Sequence, residues 1–235
     1  MRNLVLFLAL VAGAQAFAVP ARADDPGHID AYVTPYYNST GPAVSVGKYS
    51  SGLASKNQAQ FVATIHQMKK SWRQLDFTQL YVGAIRLYDL GYRQEAIYWF
   101  YTAQYQGRLY GLLVDQKRFA GMGDPGFELF HASNAFFQVV GPDINGYAFN
   151  NIPTLVATIH RVLQENKNVP NMDALYPGIA FIDKSQWQSN NAKLNSGLGR
   201  LATELNAQQA KIEQQRASDG TKARFARLTN KPLPS

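Results

Sequence analysis

Few spacings in this chain could carry chemistry. Glu128-Leu129-Phe130-His131 has the Glu-x-x-His spacing with which a helix face offers a carboxylate and an imidazole to a di-iron centre. Such a centre takes a second pair of that kind and two further glutamates. The chain has five Glu in all and no other Glu-x-x-His, so the pair reads as a surface carboxylate beside a packed imidazole. Ser45-Val46-Gly47-Lys48 has the spacing in which a lysine amine can activate a nucleophilic serine, but the Lys-Thr-Gly and Ser-Asp-Asn elements that complete such a site are missing. The sequence has no Gly-x-Ser-x-Gly turn, no His-Glu-x-x-His helix, no phosphate loop and no dinucleotide fingerprint. His66 and His160 end apolar helix faces, and His28 with Asp30 offers an adventitious metal pair. Glycan cleavage needs two carboxylates facing each other across a cleft. Eleven Asp and five Glu allow such a pair, and no spacing singles one out. These residues lead to the expectation of a protein that is not an enzyme and holds no metal or cofactor.

Composition bounds the setting. The chain has 235 residues, 46% of them hydrophobic, enough for one large domain with its own core. Cysteine is absent, which excludes disulfides, thiolate catalysis and thiolate metal sites together. At the start, Arg2 precedes a short apolar run over residues 4–12, followed by small-residue patterns ending at Ala16, Ala18 and Ala23, the layout of a cleaved secretory signal. The run is too short to span a bilayer, and no other stretch reaches about 18 apolar residues. With no cysteine, export points to a bacterial periplasm. The Asn38-Ser39-Thr40 sequon would matter only in a eukaryotic secretory pathway. The formal charge is +7, and loss of Arg2 and Arg22 leaves 21 basic against 16 acidic residues. A moderately basic exported chain suits an acidic protein or anionic envelope component rather than nucleic acid, although simple solubility explains the charge equally well.

Any binding surface must be positioned by helices. Residues 1–23 read as the signal, 24–55 as an extended arm broken by Pro26, Pro35 and Pro42, 56–216 as an all-α helical domain, and 217–235 as a basic flexible tail. A first helix from Ser55 or Asn57 to about Arg73 puts Phe61, Ile65, Met68 and Trp72 on one face. Asp76 caps the next helix, which carries Leu80, Ala84, Leu87 and Leu90 at spacings of three and four. Gly91 is the turn, and a second helix from about Gln94 continues past Gln106 along Leu109, Leu112 and Leu113. Asp124-Pro125 opens another helix, ended by Gly141-Pro142, with a loop over 141–151. Pro153 opens a helix to about Lys167. Its VATIH at 156–160 repeats 62–66 letter for letter, a coincidence of helix composition. A last helix over about 185–216 carries a narrow stripe of Leu194, Leu198, Leu201, Leu205 and Ile212, interrupted at Gln208.

The stretch over residues 80–106 resembles a tetratricopeptide or Sel1-like repeat. Ala84, Leu87, Tyr88, Gly91, Glu95, Ala96, Ile97, Phe100 and Ala103 stand in the order and spacing of that pattern. Leu80 replaces its first-helix Trp and Arg108 its closing Pro, and the resemblance covers one unit of about 34 residues with no tandem copy. It implies a helical hairpin that binds a protein or peptide, with Tyr88, Tyr98, Tyr101 and Tyr105 as candidate partner-binding residues. The run 98–101 is apolar around most of its helix, which also fits a central core helix. The functional expectation is a periplasmic protein-binding module, and within that class an immunity or inhibitor protein against an exported toxin or hydrolase. An envelope-complex assembly factor is the alternative, and a cell-wall hydrolase the third.

Overall fold

A computed structural model describes residues 26–29, 31–33, 36–38 and 44–235. The expected signal and, within the arm, residues 24–25, 30, 34–35 and 39–43, among them Asp30 and the sequon's Ser39 and Thr40, lie outside the described residues. The architecture is an all-α helical bundle. A two-residue antiparallel pairing precedes it, β1 (Tyr32–Val33) with β2 (Tyr37–Asn38), in the register Tyr32 to Asn38 and Val33 to Tyr37. The helices are α1 (Ser50–Ala54), α2 (Gln58–Lys70), α3 (Phe77–Asp89), α4 (Arg93–Leu113), α5 (Pro125–Ala148), α6 (Ile152–Glu165), α7 (Met172–Leu175), α8 (Trp187–Ala207), α9 (Gln209–Ser218) and α10 (Thr221–Ala226).

The helix starts follow their caps. Asn57 accepts the Gln60 N–H at 3.1 Å. Asp76 and Gln79 close a reciprocal capping box, at 2.9 and 3.1 Å. Asp124 and Asn151 cap α5 and α6 with prolines in the first turn. Between α3 and α4, Gly91 takes φ +90°, while Gly91 N–H reaches Tyr88 O and Tyr92 N–H reaches Leu87 O. That Schellman closure needs a left-handed residue, which glycine supplies without strain.

α4 is the axis of the molecule. It packs against α3, α5, α6 and α8, as an all-round apolar helix must. Trp99, Phe100 and Ala103 are fully buried, and Tyr81 of α3 stacks on Phe136 of α5 at 4.9 Å. The stripe of α8 is buried through Leu194, Leu198, Leu201 and Leu205. At the far end of α4, Ile182 N–H donates to Leu113 O and Asp115 N–H to Ala180 O, pinning the connection before α8.

Two sequence expectations are corrected here. The loop expected over 141–151 is helix: α5 runs through Pro142 to Ala148. Pro142 removes one backbone bond, but Val140, Ile144 and Ala148 continue the buried stripe across it, and that packing outweighs the local break. The last long helix divides at Gln208, where the apolar stripe is interrupted, into α8 and α9. Over the tail, residues 221–226 form α10 and the chain then crosses the body, as described below.

Candidate functional site

The four tyrosines proposed as partner anchors are buried, with 0–4% of each exposed. Their hydroxyls are spent inside the protein. Tyr88 donates to Pro26 O at 2.7 Å, Tyr101 to Asn145 Oδ1 at 2.9 Å, Tyr105 to Asn191 Oδ1 at 2.6 Å, and Tyr98 to Glu165 Oε2. Burial, first among the causes, pushes all four phenols well above their ordinary range, and the Glu165 bond adds to it at Tyr98. The Tyr98 ring lies between the Trp72 ring at 5.1 Å and the Arg161 guanidinium at 3.6 Å. As anchors for a partner these residues are therefore replaced by a core role. A phenol on an apolar helix finds its partner on a neighbouring helix when that helix covers it.

The other residues with chemical potential are also accounted for. Glu128 Oε1 accepts the Gly123 N–H at 3.0 Å, and the His131 ring packs on Phe127 at 4.2 Å, so Glu128 and His131 do not form a ligand pair. His28 Nδ1 lies 3.1 Å from Asp89. Among the described residues no group of three or more His, Cys, Asp or Glu is placed to hold a metal ion.

The geometry that stands out lies at the C-terminal end. Asp219 accepts the Thr221 N–H at 2.9 Å, and Gly220 at φ +78° turns the chain into α10. Residues 221–235, the strap, then run across the α3–α4 turn. Arg216 donates to Gly146 O and Asn150 Oδ1, each at 2.6 Å, and Asn150 donates to Lys222 O at 3.2 Å. Phe225 is 4% exposed and sits over Gly146, where an added Cβ would lie 2.3 Å from the ring. The absence of a side chain at Gly146 is what admits the ring. Further on, Arg93 donates through one terminal nitrogen to Thr229 O and through the other to Gly27 O at 3.3 Å. Asn230 Oδ1 accepts the Gln94 N–H at 2.8 Å, satisfying an amide that α4's own N-cap residue leaves open. Lys231 N–H donates to Gly91 O at 2.8 Å, and Pro234 O accepts from His66 Nε2 at 2.9 Å.

Beneath the strap, where α4, α5 and α6 converge, is a cleft of about 300 Å³. Gln94, Ile97, Tyr147, Asn151 and Thr154 form its floor, and Phe225 and Leu228 form its roof. A larger depression beside Ala63, His66, Lys69 and Lys70 is open surface on α2. The cleft is the better candidate because residues of four elements, α4, α5, α6 and α10, line it. What the arrangement does is hold a short helical turn and the extended chain after it, with one aromatic anchor on the turn, a main-chain carbonyl on an arginine and a side-chain oxygen on a helix N-terminus.

Sequence reading missed this site. It saw only the cations of the tail, while the signal that could have found the site was Phe225, Leu228 and Leu233 spaced through them, after an Asp-Gly turn. No family profile, curated protein or solved structure matches the chain. Among the described residues no helix is long and apolar enough to cross a membrane.

Proposed function

We propose that the protein is a periplasmic protein-binding module, and within that class an immunity or inhibitor protein that occludes an exported toxin or hydrolase. The observation that carries this reading is the strap. The helical body already grips a segment across the α3–α4 turn, through Phe225 on the turn of α10 and through Thr229, Asn230 and Lys231 on the extended run after it. A surface that holds one extended segment by main-chain groups and an aromatic pocket suits the recognition of another. The signal-like N-terminus and the basic balance of the chain agree with a partner met after export. So does the hairpin's likeness to a tetratricopeptide unit.

The test is affinity capture of the tagged mature protein from the exported fraction of its parent cell, followed by reconstitution from purified components. A single exported toxin or hydrolase that forms a 1:1 complex and loses its activity in it is the expected result. A set of envelope-complex subunits would replace this reading with the assembly factor. Degradation of purified cell wall by the protein itself, at catalytic concentration, would overturn binding as the function.

A further inference from the structure

We propose that the strap is an exchangeable occupant, and that the partner segment taking its place is an acidic peptide that keeps the strap's course, a helical turn and then an extended run: an aromatic side chain on the turn in the notch over Gly146 and, five residues on, a carboxylate at the position of Asn230. The proposal rests on the protein-binding reading above and names its partner class.

Arg93 carries the argument. It is 8% exposed, and its guanidinium makes no ion pair among the described residues. Its charge is met by two main-chain carbonyls and by the face of Tyr88 at 5.3 Å. Among the described residues the Nε of the same guanidinium has no acceptor. A buried cation with an idle donor is normally answered by an anion. The guanidinium stands at the first residue of α4, a helix of 21 residues, and the positive end of that helix also favours negative charge there. At this point the strap offers only neutral groups, the Thr229 carbonyl and the Asn230 amide oxygen.

The rest of the strap is equally mismatched. Lys222, Arg224, Arg227 and Lys231 stand against Asp219 alone, and none of these four cations makes an ion pair among the described residues. A basic segment thus lies on a site whose own buried charge is positive. The strap is also shallow: Phe225 is its one buried side chain, Leu228 and Leu233 are half-buried, and 222–224, 226–227 and 229–232 are exposed. Segments with so little burial open at low free energy. Tethering keeps the strap in place by local concentration, in the millimolar range for a short connection, rather than by complementarity. An acidic segment gains what the strap lacks, a charge-assisted bond to Arg93 and Gln94 N–H.

Two fluorescein-labelled peptides of residues 221–235 test this, one native and one carrying Asn230→Asp, with binding read by anisotropy. The host is the full chain with Phe225→Ala, which loosens its own strap and leaves the floor of the cleft intact. Native peptide is expected to bind this host at least about tenfold tighter than it binds the wild-type chain, whose tethered strap competes. The Asn230→Asp peptide is expected to bind the host about fivefold tighter than the native peptide, the ratio that about 1 kcal/mol gives when a neutral acceptor is replaced by a charge-assisted one at Arg93. Arg93→Gln in the same host should erase that ratio. Where Arg93→Gln does not fold, Asn230→Asp in the otherwise wild-type chain serves: amide exchange over 221–235 should slow about fivefold. Equal or weaker binding of the acidic peptide, or exchange that is unchanged or faster, overturns the acidic partner. No binding of either peptide to a host that melts cooperatively overturns exchange altogether. These probes need no cellular partner, so their failure leaves the capture result standing, and failure of the capture leaves the peptide preference standing.

Discussion

Tyr98, Tyr101 and Tyr105 bond to residues 67, 44 and 86 positions away in the chain, each on a different helix. Nothing local marks a tyrosine as core or interface, because both use a broad apolar ring with a polar tip. The all-round apolar character of α4 was legible in its composition. The positions of Asn145, Glu165 and Asn191 were not, since they depend on how three later helices dock. Burial of these phenols has a consequence in alkali. Tyr81, Tyr88, Tyr98, Tyr101, Tyr105, Tyr110 and Tyr176 all have pKa values raised in the folded state, chiefly by desolvation. A raised pKa means that the folded state holds its proton longer than the unfolded chain. The resulting stability is complete below the unfolded value of about 10 and is lost as pH climbs above it. Melting temperature is expected to fall steeply from about pH 10 upward. Tyrosinate absorbance should rise in two stages, exposed phenols first and the buried group only with cooperative unfolding. A single non-cooperative titration of every tyrosine near pH 10 would contradict the burial.

At the scale of elements, the caps and the hairpin were readable because their signals are local. Asp76 with Gln79, Gly91 and Asp124 with Pro125 each act within four residues of where they stand. The end of α5 was misread because Gly141-Pro142 is also a local signal, and a tertiary one overrides it. Val140, Ile144 and Ala148 face the core on both sides of the proline. A proline within a helix is less favourable than alanine by about 3 kcal/mol, of which the unfolded chain returns up to about 1 through its own freedom. Pro142→Ala is therefore expected to stabilise the protein by roughly 2 kcal/mol in urea unfolding. Loss of stability would mean that α5 requires the altered geometry of the proline. Gly146 is read the other way. Gly146→Ala favours helix by about 1 kcal/mol, yet its Cβ would stand 2.3 Å from the Phe225 ring. The expected result is a body that unfolds at or above the wild-type denaturant concentration. In that variant trypsin should cleave the strap at Lys222, Arg224 and Arg227 many times faster than in the wild type. Unchanged cleavage would show that Phe225 does not hold the strap down.

Over the whole molecule, the all-α class and the central place of the 80–106 hairpin followed from helical periodicity, and the bundle has both. The candidate site did not follow, because it is assembled from the two ends of the described chain. Arg93 joins Gly27 near the start to Thr229 near the end, and 136 residues separate the latter pair. A tail with four cations reads locally as solvated, and only a notch built by α4, α5 and α6 gives Phe225 a place to go. Under the proposed exchange, the surface beside the α3–α4 turn is filled at rest by residues 221–235 and opens to a partner that outcompetes them. The stoichiometry and activity of the purified pair decide whether the protein works by binding another exported protein, as proposed. A 1:1 complex in which the captured toxin or hydrolase is inactive is the expected result. Repeated captures that yield no stoichiometric partner, or a complex in which the partner stays fully active, would contradict it.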